Sequence, residues 1–208
     1  SLDECSGDLV FRVKQSNALA LCDQISNQAG STLSDEFDPD PPLITAIQVD
    51  YAFQEALVEW ESSSAADLAG YIIYICNGGF QMAIDTLFDP NATSYLDLNS
   101  NVQAYIESYN VAAFDSCFVA GEPDPGAASE YCASSIFLNT ASVTCSDEAT
   151  LTWTGGFNLP GEFTGYEIWI NEEIPSGSGN WSGLQMMQTL DGSVDQWQFE
   201  GATFGATY

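Results

Sequence analysis

Gly70-Tyr71-Ile72-Ile73-Tyr74-Ile75 is echoed by Gly165-Tyr166-Glu167-Ile168-Trp169-Ile170, an offset of 165 − 70 = 95 residues, and this repeat decides the fold. Each copy follows an alternating segment that ends on tryptophan: Ala56-Leu57-Val58-Glu59-Trp60 before the first, Ala149-Thr150-Leu151-Thr152-Trp153 before the second. Apolar residues at every second position turn one face of an extended chain toward a core and the other toward water. A period of this size is about the length of one β-sandwich domain. The pattern predicts an all-β protein of tandem seven-stranded sandwiches, one complete and two partial.

Working outward, the acidic, proline-containing stretch Asp35-Glu36-Phe37-Asp38-Pro39-Asp40 reads as a linker, and a complete module is expected over residues 39–139. Its strands are predicted at Ile47–Asp50, Ala56–Trp60, Tyr71–Cys76, Phe80–Asp85, Thr93–Asp97 and Ser108–Asp115, with Ala133–Leu138 closing it. Asn77-Gly78-Gly79 is a hairpin turn signal, because glycine accepts positive φ. Val10-Phe11-Arg12-Val13 aligns with Ser108-Tyr109-Asn110-Val111, so residues 1–38 supply the last two strands of a preceding module. Residues 140–208 carry the repeated Trp and Tyr strands and stop before the last two. Two arrangements would complete the partial modules. The missing strands lie further along a longer polypeptide, or residues 1–38 of one copy complete the third module of another by strand donation.

Charge and composition remove whole classes of function. Thirty Asp and Glu stand against two cations, Arg12 and Lys14, giving a net charge of −28. Such a chain repels nucleic-acid phosphates and anionic membrane surfaces. No apolar run reaches the length of a membrane span, so neither nucleic acid nor membrane insertion is expected. With 45% hydrophobic residues there is ample material for packed cores. The chain has no histidine, which excludes Ser-His-Asp and Cys-His catalysis and His-ligated zinc. A non-catalytic protein is expected.

Six cysteines occur and none forms a CxxC pair, so disulfides in an oxidising, extracytoplasmic setting are expected. Cys5 with Cys22, and Cys117 with Cys132, flank equivalent hairpins one repeat apart and are the predicted bridges. Cys76 and Cys145 remain, to pair with each other or with residues beyond this chain.

Tryptophan on the second strand, Gly-Tyr-x-Ile-Tyr on the third and Tyr109-Asn110-Val111-Ala112-Ala113 on the sixth resemble fibronectin type III modules. The wording from Tyr109 through Cys117, Ser135-Ile136-Phe137-Leu138, and Cys145 ahead of Leu151-Thr152-Trp153 is similar to repeats of large gliding-motility-associated surface proteins of bacteria. Those proteins are exported by the type IX secretion system. The resemblance spans nearly the whole chain, although Phe118-Val119-Ala120 departs from the Gly-Asn such repeats often carry. It implies an extended, extracellular scaffold, stalk or adhesin at the bacterial cell surface. Its partners would be neighbouring modules, secretion or surface-anchoring proteins, and surface glycans.

Candidate sites are few. Asp35, Glu36, Asp38 and Asp40 gather hard oxygen ligands at a module junction and could hold calcium, although the spacing is not that of an EF-hand. No other cofactor is expected. Trp181, in the Ser176–Gly183 loop, is the candidate for stacking on a sugar, as would suit an ancillary glycan-binding module of a secreted enzyme. Asn91-Ala92-Thr93 and Asn180-Trp181-Ser182 match the N-glycosylation pattern, with Asn91 and Asn180 as acceptors. Asp85-Thr86-Leu87, with Thr86 as acceptor, resembles the O-glycosylation motif of bacteria that use the type IX system.

Overall fold

The computed structural model describes residues 6–15, 24–34, 39–50, 53–117, 127–128, 131–142, 148–156, 158–161 and 163–201. Every regular element among them is a β-strand. The first are β1 (Ser6–Phe11), β2 (Lys14–Gln15), β3 (Gln24–Ile25) and β4 (Ala29–Ser34). β1 runs antiparallel to β4, from Ser6 opposite Ser34 to Phe11 opposite Ala29, and β2 pairs with β3. These are two separate two-stranded ribbons.

The central unit contains β5 (Ile44–Asp50), β6 (Glu55–Trp60), β7 (Leu68–Asn77), β8 (Phe80–Leu87), β9 (Ser94–Asp97), β10 (Ser108–Asp115), β11 (Ala127–Ala128) and β12 (Ala133–Ser134). One sheet has the order β5-β6-β9. The other runs β11-β10-β7-β8, with β12 also paired to β10. Alternation sends Ala56, Val58 and Trp60 from the first sheet, and Tyr71, Ile73, Tyr109 and Val111 from the second, into one shared core. Two sheets packed face to face over such a core make a β-sandwich. Gly78 and Gly79 take φ of 58° and 89° in the two-residue turn between β7 and β8, the left-handed conformation that this tight connection needs.

The third unit repeats the plan in part, with β13 (Phe137–Ser142), β14 (Glu148–Thr154), β15 (Tyr166–Ile170), β16 (Gln185–Leu190) and β17 (Gln196–Glu200). Its sheets have the orders β13-β14-β17 and β15-β16. Among the described residues nothing stands where β10 and β12 stand in the central unit.

The repeated Gly-Tyr has a steric basis. A Cβ on Gly70 would collide with the Leu87 carbonyl oxygen, and one on Gly165 with the Leu190 carbonyl oxygen. Leu87 lies opposite Tyr71 and Leu190 opposite Tyr166, so both collisions occur at the same place in the repeat. Removing the side chain lets the neighbouring strand close in, and the tyrosine that follows packs on tryptophan. The ring centroids are 5.3 Å apart for Trp60–Tyr71 and 5.2 Å for Trp153–Tyr166.

Two expectations need correction. Cys132 is bonded to Cys76, not to Cys117. Ser108 lies opposite Ser134 and Tyr109 opposite both Ala133 and Ile75, so the two cysteines meet across the start of β10. Spacing within a hairpin could not reveal a bridge between strands on either side of a third. The closing segment also divides: Ala133–Ser134 pairs with β10, whereas Phe137 and Leu138 already belong to β13, opposite Thr154 and Trp153. Cys5, Cys22 and Cys145 lie outside the described residues. Cys117 is itself disulfide-bonded.

Candidate functional site

The β15–β16 connection presents Trp181. Glu173, buried at its base, accepts hydrogen bonds from the backbone N–H of Gly177 at 2.9 Å and of Gly179 at 2.5 Å. Asn171 Oδ1 accepts from the Gly183 N–H at 2.9 Å, and the Glu172 N–H donates to Ser182 Oγ at 3.0 Å. Backbone groups in a long connection need partners, and here side chains at its two ends supply them. Trp181 forms an isolated bridge with Glu173 and is 49% exposed, so a held loop offers an indole face to solvent. Asn180 is exposed beside it, its N–H donating to Ser178 Oγ at 3.1 Å.

Between the sheets of the third unit lies a cleft of about 330 Å³, lined by Leu151, Ile168, Ile170, Trp197 and Phe199 among others. Trp197 sits opposite Leu151 and Phe199 opposite Ala149, so they belong to an inner sheet face, as their alternation implies. Trp169, half exposed, also lines the cleft, and its Nε1–H donates to Glu167 Oε2 at 3.1 Å.

The other predicted residues lie apart. Thr86 is half-buried on the edge strand β8, with its N–H donating to the Asp85 carboxylate at 2.8 Å. Asn91 is exposed in a turn and held by Asp89, which accepts from its N–H at 2.9 Å and its Nδ2 at 3.3 Å. Of the proposed calcium ligands, Asp40 is exposed, while Asp35, Glu36 and Asp38 lie outside the described residues.

Sequence reasoning passed over one polar cluster. Tyr109 donates its hydroxyl to Asp97 Oδ2 at 2.9 Å, both side chains being buried. Glu107, also buried, accepts from the Asn101 N–H at 2.7 Å. Burial pushes the Glu107 carboxyl above its ordinary value; the Asn101 bond opposes this and the Asp97 charge adds to it. Burial and the Asp97 bond likewise push the Tyr109 hydroxyl far up, so it remains a donor. The cluster pins the loop from Asp97 to Glu107 against β10. A tyrosine expected in a core needs a partner for its hydroxyl, and that requirement was the available signal.

No protein family matches this chain, and no curated protein does. Among solved structures, it is similar to a crystal structure of chicken CNTN1 FN1-FN3 domains, at 13% identity and a TM-score of 0.32, over 93% of this chain and 67% of that one. The sandwich assignment rests on strand order and on the two-sheet core of the central unit.

Proposed function

We propose that this chain is a segment of a secreted, non-catalytic array of fibronectin type III-like modules at a bacterial cell surface, serving as stalk, spacer or filament scaffold. The observation that carries the reading is the repeated Gly–Tyr–Trp construction in two successive units. Export by the type IX route, glycosylation at Thr86 and anchoring to surface proteins follow from the sequence resemblance. Calcium at Asp35, Glu36, Asp38 and Asp40 would stiffen the first junction; isothermal calorimetry at millimolar calcium that registers no heat removes it.

The mechanical role has a direct test. The Cys76–Cys132 bond spans 56 residues of sequence, which cannot extend while it is intact. Pulled by its ends, the central unit should lengthen under reducing conditions by roughly 200 Å more than when oxidised, at about 3.5 Å per released residue. Unfolding at forces no higher than thermal fluctuations in both states would remove the load-bearing role.

A second reading is favoured by the exposure of Trp181 on its braced loop: an ancillary module that stacks on surface glycans. Binding on a glycan array that vanishes in Trp181→Ala supports it; binding that survives the substitution dismisses it.

A further inference from the structure

We propose that Asn77 is a site of spontaneous covalent modification in the folded protein: its side chain closes a succinimide with the Gly78 nitrogen, loses ammonia and reopens as isoaspartate or aspartate. The reaction needs only water and does not depend on the surface location proposed above.

The step begins on a backbone nitrogen. Gly78 N gives its proton to solvent and bonds to Cγ of the Asn77 amide. The Cγ–Nδ2 bond breaks, and Nδ2 leaves as ammonia with a proton returned from solvent. Water then opens the five-membered ring on one of two sides. Cleavage of the N–Cγ bond leaves aspartate. Cleavage between the nitrogen and the backbone carbonyl carbon leaves isoaspartate, whose main chain runs through Cβ and Cγ. Nothing is oxidised or reduced.

The turn between β7 and β8 leaves this step unobstructed. Of the asparagines in the chain, Asn77 alone precedes a glycine. Asn77, Gly78 and Gly79 are all exposed, and a Cβ on Gly78 would meet nothing within 4 Å. Among the described residues, neither the Gly78 N–H nor the Asn77 side chain has a hydrogen-bond partner. A residue without Cβ also lets the peptide plane swing toward the amide at little steric cost.

Other asparagines are held. Asn110 is buried, and the Val111 N–H donates to its Oδ1 at 2.8 Å. After Asn91, the Ala92 N–H donates to the Asp89 carbonyl at 3.2 Å. After Asn171, the Glu172 N–H donates to Ser182 Oγ at 3.0 Å, while Asn171 Oδ1 accepts from Gly183. In each case the nitrogen that would attack is already engaged.

The product alters one end of the central unit. Asn77 lies opposite Phe80 at the closing pair of the hairpin, and its neighbour Cys76 is bonded to Cys132. Isoaspartate adds a main-chain carbon beside a two-residue turn, whose length fixes the register of the pair. The disulfide confines that change to the tip. Either product places a new carboxylate near Phe80, which is 81% exposed. The converted fraction grows with the age of the molecule.

Incubation of the intact, oxidised chain in mildly alkaline buffer, then reduction, digestion and mass spectrometry, tests the proposal. The peptide holding Asn77 is expected to gain the mass by which an acid exceeds its amide and to accept methyl groups from an isoaspartate-specific methyltransferase. Peptides holding Asn91 and Asn110 should keep their masses over the same interval. The folded chain should convert at Asn77 within a factor of a few of its rate in urea, because the turn gives no protection. Asn77→Gln, at an exposed position, should abolish both signals. An Asn77 that stays intact in the folded chain while converting in urea overturns the proposal, and so does one that converts in neither.

Discussion

The central and third units carry the same Trp–Tyr contact, at 5.3 and 5.2 Å, yet Tyr71 and Ile73 are fully buried whereas Tyr166 and Ile168 are only half-buried. The local motif therefore sets strand pairing and the ring contact by itself. Full burial depends on β10 and β12, which cover the second half of the core. In both units the indole Nε1 is buried with no hydrogen-bond partner among the described residues. Its desolvation is a penalty that ring packing must offset, and the offset is larger where the core is closed.

Four measurements break or sharpen this contrast. The largest effect is expected from Cys76→Ser with Cys132→Ser. Releasing a loop of this size should cost the central unit about 4 kcal/mol by the chain-entropy model, while the third unit's transition in urea stays in place. A shift in both transitions would mean that the units unfold as one.

Next comes the matched pair Ile73→Ala and Ile168→Ala. The first deletes fully buried methyls and should cost about 2–5 kcal/mol. The second is only half-buried beside the cleft and should cost less than half as much. Equal losses in chemical denaturation would show that the third core is closed in solution.

Gly70→Ala and Gly165→Ala drive a methyl into the Leu87 and Leu190 carbonyls respectively, and overpacking of this kind costs about 1–3 kcal/mol. Gly70→Ala also meets the Phe114 ring, so it should be the worse of the two. A smaller loss at Gly70 than at Gly165, where φ is +146°, would assign the effect to backbone conformation instead.

The smallest effect is a pH dependence confined to the central unit. Burial raises the folded pKa of Glu107 above its unfolded value, so the folded state binds its proton more tightly. The stability linked to this group is present below the unfolded pKa and is lost as pH rises through the folded one. Glu107→Gln should flatten the central unit's profile across the acidic range and leave the third unit's profile alone. An unchanged slope would place the dependence elsewhere among the carboxylates.

The strands with clear alternation were legible in the sequence to within a few residues: Ala56–Trp60 is found as Glu55–Trp60, and Ser108–Asp115 as written. The Trp181 loop was legible as an exposed one, because glycine and serine there leave little to bury. The disulfide was not, since Cys76 and Cys132 meet only after β10 has passed between their strands. The Asp97–Glu107–Tyr109 cluster was missed for a related reason: its members are close through folding, not through spacing.

Periodicity and glycine placement alone determined that this chain forms strands and that a Gly-Tyr strand follows a tryptophan strand twice. These follow from the two-residue repeat of extended chain and from the space a missing Cβ creates, both of which are local. Tertiary structure decided which cysteines join, which carboxylates lose their water, and which of two near-identical faces is covered. Those outcomes depend on which strands lie side by side, and neighbours across a sheet are fixed only when the whole core packs.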